Sequence, residues 1–193
     1  MIRREAQLSA TQVLRVVHND ITRERVDAIV NAANGWLAHG GGVAGAILRR
    51  AGLDLQLESD AWVETHGRIA NGGVAHTTAG MLHARRVIHA VGPVWHGGAQ
   101  GEPEELRAAM TNALALADDL GLARVSVPAI SSGIFGFPVR LCAEILVDAT
   151  VAYLASHPST VVTEVRFTNI DAPTVEVFER EFDRRFPADP SAP

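Results

Sequence analysis

Short β-branched runs alternate with longer helical patterns along most of the chain, and this alternation limits the possible folds more than any other feature. The runs fall at residues 13–18, 28–31, 73–77, 86–90, 125–129 and 162–168, each followed within four residues by Gly, Pro, Asn or Asp. Between and after them, residues 42–50, 53–66, 102–120, 138–156 and 174–186 repeat Leu, Ala, Val and Phe at intervals of three and four, the period of a helix with one buried face. Within 102–120, Pro103 suits a first turn, Glu102, Glu104 and Glu105 complement the positive helix start, and Gly121 supplies the stop. Strands joined by helices predict an α/β fold built on a mixed or parallel sheet. Several runs are continuously apolar, as in strands covered on both faces. No strand is expected before Val13.

Composition narrows the function classes. With 47% apolar and 20% charged residues, the 193-residue chain reads as a globular domain rather than a disordered one. One domain is expected over 1–186, with a disordered tail at 187–193. The formal net charge is −5, and all 17 basic residues are Arg, scattered as short pairs. Nucleic acid is therefore an unfavoured partner, since phosphate neutralisation needs clustered cations. Without Lys, an anionic ligand would have to be held by backbone N–H groups and helix N-termini. The single cysteine, Cys142, rules out an internal disulfide and falls at an apolar helix position, where buried filler is the expected role. No metal is expected, because no two histidines have the H-x-x-x-H spacing of a ligand pair. No run approaches the ~18 apolar residues of a membrane span, and no secretion signal opens the chain. A cytoplasmic location without a membrane partner is the expectation.

Ligands of open α/β sheets bind outside the carboxyl ends of the strands, and four such ends are unusual. After the first run comes Asn19-Asp20-Ile21-Thr22, where Asp20 could accept from an exocyclic amine or simply cap a turn with Thr22. After the second comes VNAANGWLAHGGGVAGAI, in which Asn31 and Asn34 precede Gly40-Gly41-Gly42 and a helix start near Val43. Glycines there let the backbone approach a ligand and present the free N–H groups of the helix start to negative charge. The alternative is a flexible loop with no ligand. The spacing is neither a P-loop nor GxGxxG. Val91-Gly92-Pro93 reads as ordinary strand punctuation, with His89 a satisfied core histidine. Finally, Ser131-Ser132-Gly133-Ile134-Phe135-Gly136 offers a second nest of backbone donors, so that two loops could grip a diphosphate.

Taken in this order, Asp20-Ile21, the NAAN of Asn31 to Asn34, the Gly40 to Val43 loop, Val91-Gly92-Pro93 and the Ser131 to Gly136 loop resemble the macrodomain family over residues 12–186. The resemblance implies a three-layer α/β/α sandwich with a mixed central sheet and a cleft for ADP-ribose, with no cofactor. It assigns Asp20 to the adenine amine and Ile21 to a backbone donor for the base. Gly42, Val43, Ser131, Gly133, Ile134 and Phe135 would clasp the diphosphate, and Asn34 would bond the distal ribose. Asn31, Ala33, Gly41 and Ser132 complete the expected ligand set, together with Asn169, which stands where many members place an aromatic against adenine.

The same resemblance divides between enzyme and reader. Many hydrolases of the family carry an Asp after the Gly loop, where this chain has Ala44. The segment LAHGGGVAGAI is similar to the viral type, which lacks that Asp and still cleaves mono-ADP-ribosyl esters on Asp and Glu. There Asn34, His39 and Gly42 form the expected catalytic set, with His39 beside the ribose. The resemblance thus implies a hydrolase acting on mono-ADP-ribosylated proteins, with O-acetyl-ADP-ribose as a further substrate. The alternatives are a non-catalytic ADP-ribose reader and, less favoured, a nucleic-acid-binding or generic phosphatase domain.

Overall fold

The computed structural model describes residues 1–187, so the expected tail lies, except for its first residue, outside the described residues. Chain order runs β1 (Ile2–Gln7), β2 (Val13–His18), a single 3-10 turn (Ile21–Arg23), β3 (Ala28–Ala33), α1 (Gly42–Ala51) and α2 (Leu53–His66). It continues with β4 (Val74–Thr78), β5 (Arg86–Val91), α3 (Glu102–Asp119), β6 (Arg124–Val127), α4 (Val139–Ser156), β7 (Glu164–Asn169) and α5 (Ala172–Arg185).

Among the described residues, seven strands form one mixed sheet in the order β1-β2-β7-β6-β3-β5-β4. The five inner strands are parallel, and β1 and β4 pair antiparallel at the two edges. Inner strands alternate their side chains between two buried faces. Val30, Ile88, Val125, Val127, Val165 and Phe167 pack beneath α3, α4 and α5. Ile29 and Val87, with Ile47 and Leu55, form a second cluster under α1 and α2. Ala33, Val91, Leu37 and Ile69 form a third. The result is the expected three-layer α/β/α sandwich. Phe167 stacks on Phe178 of α5 with centroids 5.4 Å apart, anchoring the strand whose end carries Asn169.

The unexpected element is β1. Its sequence, IRREAQ, carries three charged side chains and buries only Ala6, so no apolar run announces it. Edge strands tolerate charge because one side faces water, and charge there discourages pairing with another chain. Arg3 and Arg4 reach Glu179 and Asp183 of α5, which ties the edge down. β3 also runs two residues further than expected, to Ala33, which moves Ala32 and Ala33 from a loop into the strand.

Candidate functional site

The carboxyl ends of β2, β3, β6 and β7 all point the same way and open into a cleft of about 870 Å³. Asp20, Ile21, Ala33, Asn34, Gly41, Gly42, Val43, Ser131, Ser132, Gly133, Ile134, Phe135 and Asn169 all line it. Asn31 and His39 do not.

The loop between β3 and α1 is shaped by Asn34. Its Oδ1 accepts from the backbone N–H of Trp36 (3.0 Å) and Ala38 (3.3 Å), and its Nδ2 donates to the Ala38 carbonyl (2.8 Å). These bonds fold the chain back through Leu37, a non-glycine residue at φ +51° that is fully buried. Burial of Leu37 offsets the left-handed backbone, whose strain is of order 1–3 kcal/mol. The loop ends at Gly41 and Gly42, and α1 begins there without any side-chain cap. Its first N–H groups are thus left to whatever occupies the cleft. Asn34 is then both a lining residue and the clamp of its own loop.

The loop after β6 is held by backbone. Ser132 N–H donates to the Ala129 carbonyl, Gly136 N–H to Gly133, and Phe137 N–H to Ser131. Ser131 sits at φ +64°. A Cβ on Gly92 would lie 2.1 Å from Ser131 Oγ, so the glycine of VGP is required by the loop facing it and is more than punctuation. Ile134, 81% exposed, reaches over the first loop; a Cβ on Gly41 would stand 3.5 Å from its Cδ1. The two glycine loops therefore meet across the cleft through one aliphatic side chain.

At the other end, Asp20 caps its turn and also lines the cleft. Oδ1 accepts from Thr22 N–H (2.9 Å) and Thr22 Oγ1 (2.7 Å), capping the 3-10 turn, while Oδ2 stands 3.8 Å from Arg23 Nε in a side chain 35% exposed toward the cleft. Asn169 ties the end of β7 to the β6 loop, its Oδ1 accepting from Ala129 N–H at 3.0 Å, and its Nδ2 is buried without a partner. Arg49 of α1 also lines the cleft, adding a cation to the backbone donors expected there.

Asn31 and His39 lie behind the first loop, between the sheet and α2. Register puts Asn31 opposite His89, and strand alternation turns both toward α2. Asn31 Nδ2 is 3.2 Å from His39 Nδ1 and 3.0 Å from His89 Nδ1, and the imidazoles stack with centroids 4.9 Å apart. His39 Nε2 meets Ser59 Oγ, and His89 Nε2 meets Thr77 Oγ1. Both hydroxyls donate their single proton to carbonyls, those of Leu55 and Thr78. They must therefore accept from Nε2–H, which leaves both Nδ1 atoms bare to accept from the Asn31 amide. Burial lowers both imidazoles, holding His89 at about 3, where the positive charge of His39 and His76 would act in the same direction. Both rings are neutral. The expectation that His39 stands beside the ligand is thus corrected: it is a core strut. Gln56 completes the support, accepting from His39 N–H and donating to the Leu37 carbonyl.

Comparison with known proteins agrees with this architecture. The Macro domain family matches residues 30–146. The chain is a macrodomain. It is 42% identical over 170 residues to an O-acetyl-ADP-ribose deacetylase of Enterobacter cloacae, covering 88% of this chain and 93% of that protein. It is 49% identical over 181 residues to an uncharacterised Thermotoga maritima protein, covering 94% of this chain but only 30% of that relative's length. A point mutant of the Oceanobacillus iheyensis macrodomain with ADPR superposes with a TM-score of 0.87 at 30% identity, over 94% of this chain and 97% of that one. The Trypanosoma brucei macrodomain in complex with ADP-ribose gives 0.76 at 30% identity, over 86% and 68%.

Within this macrodomain, Ala44 lines the cleft and offers no titratable group there. The carboxylates that do line it, Asp20 and Asp171, lie after β2 and β7, and Asp171 Oδ1 caps α5 by accepting from Thr174 N–H. Cys142 is buried and donates to the Ile130 carbonyl; burial pushes its thiol well up, away from any nucleophilic role. Gln56, Ser59 and Thr77 carry no local signal, since each lies among other polar residues and its partner, His39 or His89, is at least 12 positions away in the chain.

Proposed function

We propose that this macrodomain binds ADP-ribose in the cleft and hydrolyses mono-ADP-ribosyl esters of protein Asp and Glu side chains, with O-acetyl-ADP-ribose as a second substrate. The observation that carries this reading is the meeting of the two glycine loops over the uncapped start of α1. That arrangement suits a diphosphate, whose charge is met by backbone N–H groups, the helix dipole and Arg49. Adenine then lies toward Asp20, and the distal ribose toward Asn34. The family relationship to an O-acetyl-ADP-ribose deacetylase and to ADP-ribose-bound macrodomains supports the ligand assignment.

The chemistry does not need a strong base. Water attacks the anomeric carbon, the bond from that carbon to the ester oxygen breaks, and the carboxylate leaves with its electron pair. The proton of the attacking water passes to a phosphate oxygen and then to solvent. The chain's contribution is placement: the Asn34 loop fixes the ribose, and Gly42 lets the α1 start approach the phosphates. His39 takes no direct part and keeps the loop in register through α2.

A reader module is the second reading, favoured by Ala44 and by the burial of His39. Titration with ADP-ribose followed by assay of a glutamate-linked mono-ADP-ribosylated protein separates them. The hydrolase reading expects ADP-ribose to be released faster than in buffer alone. Binding without release leaves the reader. Asn34→Asp is the informative variant, since it keeps the two acceptor bonds of the loop and loses the amide donor.

A further inference from the structure

Past Asn34 and Phe135 the cleft gives onto a second cavity of about 470 Å³, and these two residues are walls of both. The junction is the point at which the ester reading sets the anomeric carbon. What leaves that carbon must therefore extend into the second cavity.

The lining of this cavity is unlike that of the cleft. Its acidic groups are already engaged. Glu102 accepts from the backbone N–H groups of His96 (2.9 Å), Gly98 (3.2 Å) and Gln100 (2.7 Å), and Glu105 accepts from Asn71 Nδ2 (2.9 Å). Burial opposes the charge on Glu102, but the backbone donors win and hold its carboxyl down at about 2. Arg68 has no such engagement: it is exposed, and among the described residues its guanidinium has neither a hydrogen-bond acceptor nor an ion-pair partner. Its side chain is laid across Gly35, where a Cβ would lie 3.1 Å from Arg68 Cγ and Nε and only 2.4 Å from the Ile69 carbonyl oxygen. The missing side chain at Gly35 therefore leaves room for Arg68 on this wall. Beside it Trp36 is 58% exposed, a large aromatic surface without a neighbour to cover it.

We propose that the second cavity is the acceptor subsite, holding the polypeptide that carries the ADP-ribosyl ester, and that Arg68 and Trp36 are the residues that select protein esters over small ones. This inference rests on the ester-hydrolase reading of the cleft. A guanidinium offers donors only, so Arg68 takes backbone carbonyls or carboxylates flanking the modified residue. Trp36 supplies the rigid apolar area on which a peptide chain lies. An acetyl ester reaches too short a distance to use either. Free ADP-ribose uses neither.

The test uses a short peptide ADP-ribosylated at glutamine, the amide counterpart of the glutamyl ester, compared with free ADP-ribose by titration calorimetry. The wild-type chain is expected to bind the conjugate about tenfold tighter than ADP-ribose, the scale of one charge-assisted hydrogen bond. Arg68→Ala should remove most of that advantage and leave ADP-ribose affinity unchanged, with Trp36→Ala acting in the same direction. Equal affinity for conjugate and ADP-ribose in the wild type, or an equal loss for both in Arg68→Ala, overturns the subsite. Hydrolysis of the glutamyl ester is measured alongside. Tighter conjugate binding without hydrolysis defeats the hydrolase reading and keeps the subsite; hydrolysis without tighter binding defeats the subsite alone. No binding of ADP-ribose defeats both.

Discussion

The two loops that face each other across the cleft are built by opposite means. The first, from Asn34 to Gly42, is held by side chains: Asn34 from within, and Gln56 and His39 from α2 and the strut beneath. The second, from Ser131 to Gly136, is held by its own backbone bonds and by the absence of a side chain at Gly92. A loop held by side chains can be loosened one contact at a time. A loop held by close packing against a glycine fails as a unit.

The largest effect should therefore come from Gly92→Ala. The new methyl would stand 2.1 Å from Ser131 Oγ and 2.8 Å from Ile130 Cγ2, and Ser131 is already in a left-handed conformation. Overpacking of this kind destabilises by about 1–3 kcal/mol, and displacement of the loop should lower ADP-ribose affinity by about 100-fold, as loss of several backbone donors would. Thermal melting and calorimetry check the two parts. If affinity survives, the second loop is more adaptable than its packing indicates.

Asn31→Ala comes next. It removes the donor shared by both imidazoles and leaves two buried Nδ1 atoms unpaired, at about 1–3 kcal/mol for an orphaned buried group. Chemical denaturation should show that loss, with a smaller loss of ADP-ribose affinity because the first loop keeps Asn34 and Gln56. An unchanged midpoint would mean that the strut does not support the fold.

Acid should probe the same strut. The folded His89 stays neutral down to about pH 3, whereas the unfolded side chain takes a proton near its ordinary value of 6.5. Its folded value is depressed, so its contribution is full above pH 6.5 and is lost as the pH falls from there toward 3. The slope approaches roughly 1 kcal/mol per pH unit. Urea unfolding at stepped pH should show this slope in the wild type and a shallower one in His89→Gln. An identical profile in both would assign the acid sensitivity elsewhere.

Ile134→Ala should have the smallest effect. The side chain is exposed, so stability should change by less than about 0.5 kcal/mol. Loss of the aliphatic bridge over Gly41 should weaken ADP-ribose by only a few-fold, in line with about 1 kcal/mol of apolar cover. A fall as large as that of Gly92→Ala would make the bridge, rather than the backbone nest, the main grip of the second loop.

The contrast between the loops also explains what could be read in advance. Glycine, asparagine and serine clustered after apolar runs mark strand ends by local chemistry alone, so the cleft and most of its lining were legible. The direction of a side chain within a strand depends on its register with a neighbour. Asn31, at the end of its run, and His39 therefore both read as ligand contacts, whereas the register of Asn31 with His89 turns Asn31 inward and its amide holds His39 there. Gly92 looked like punctuation because its reason, Ser131, lies 39 positions away in the chain. β1 left no apolar trace because its charged residues are secured by α5, at the far end of the sequence.

The most direct test of the central claim is single-turnover release of ADP-ribose from a glutamate-linked mono-ADP-ribosylated protein, with the macrodomain in excess and at a concentration that saturates ADP-ribose binding. The account predicts release well above the rate in buffer and its suppression by added free ADP-ribose, which competes for the same cleft. Release no faster than in buffer, from a protein shown to bind ADP-ribose, would contradict it.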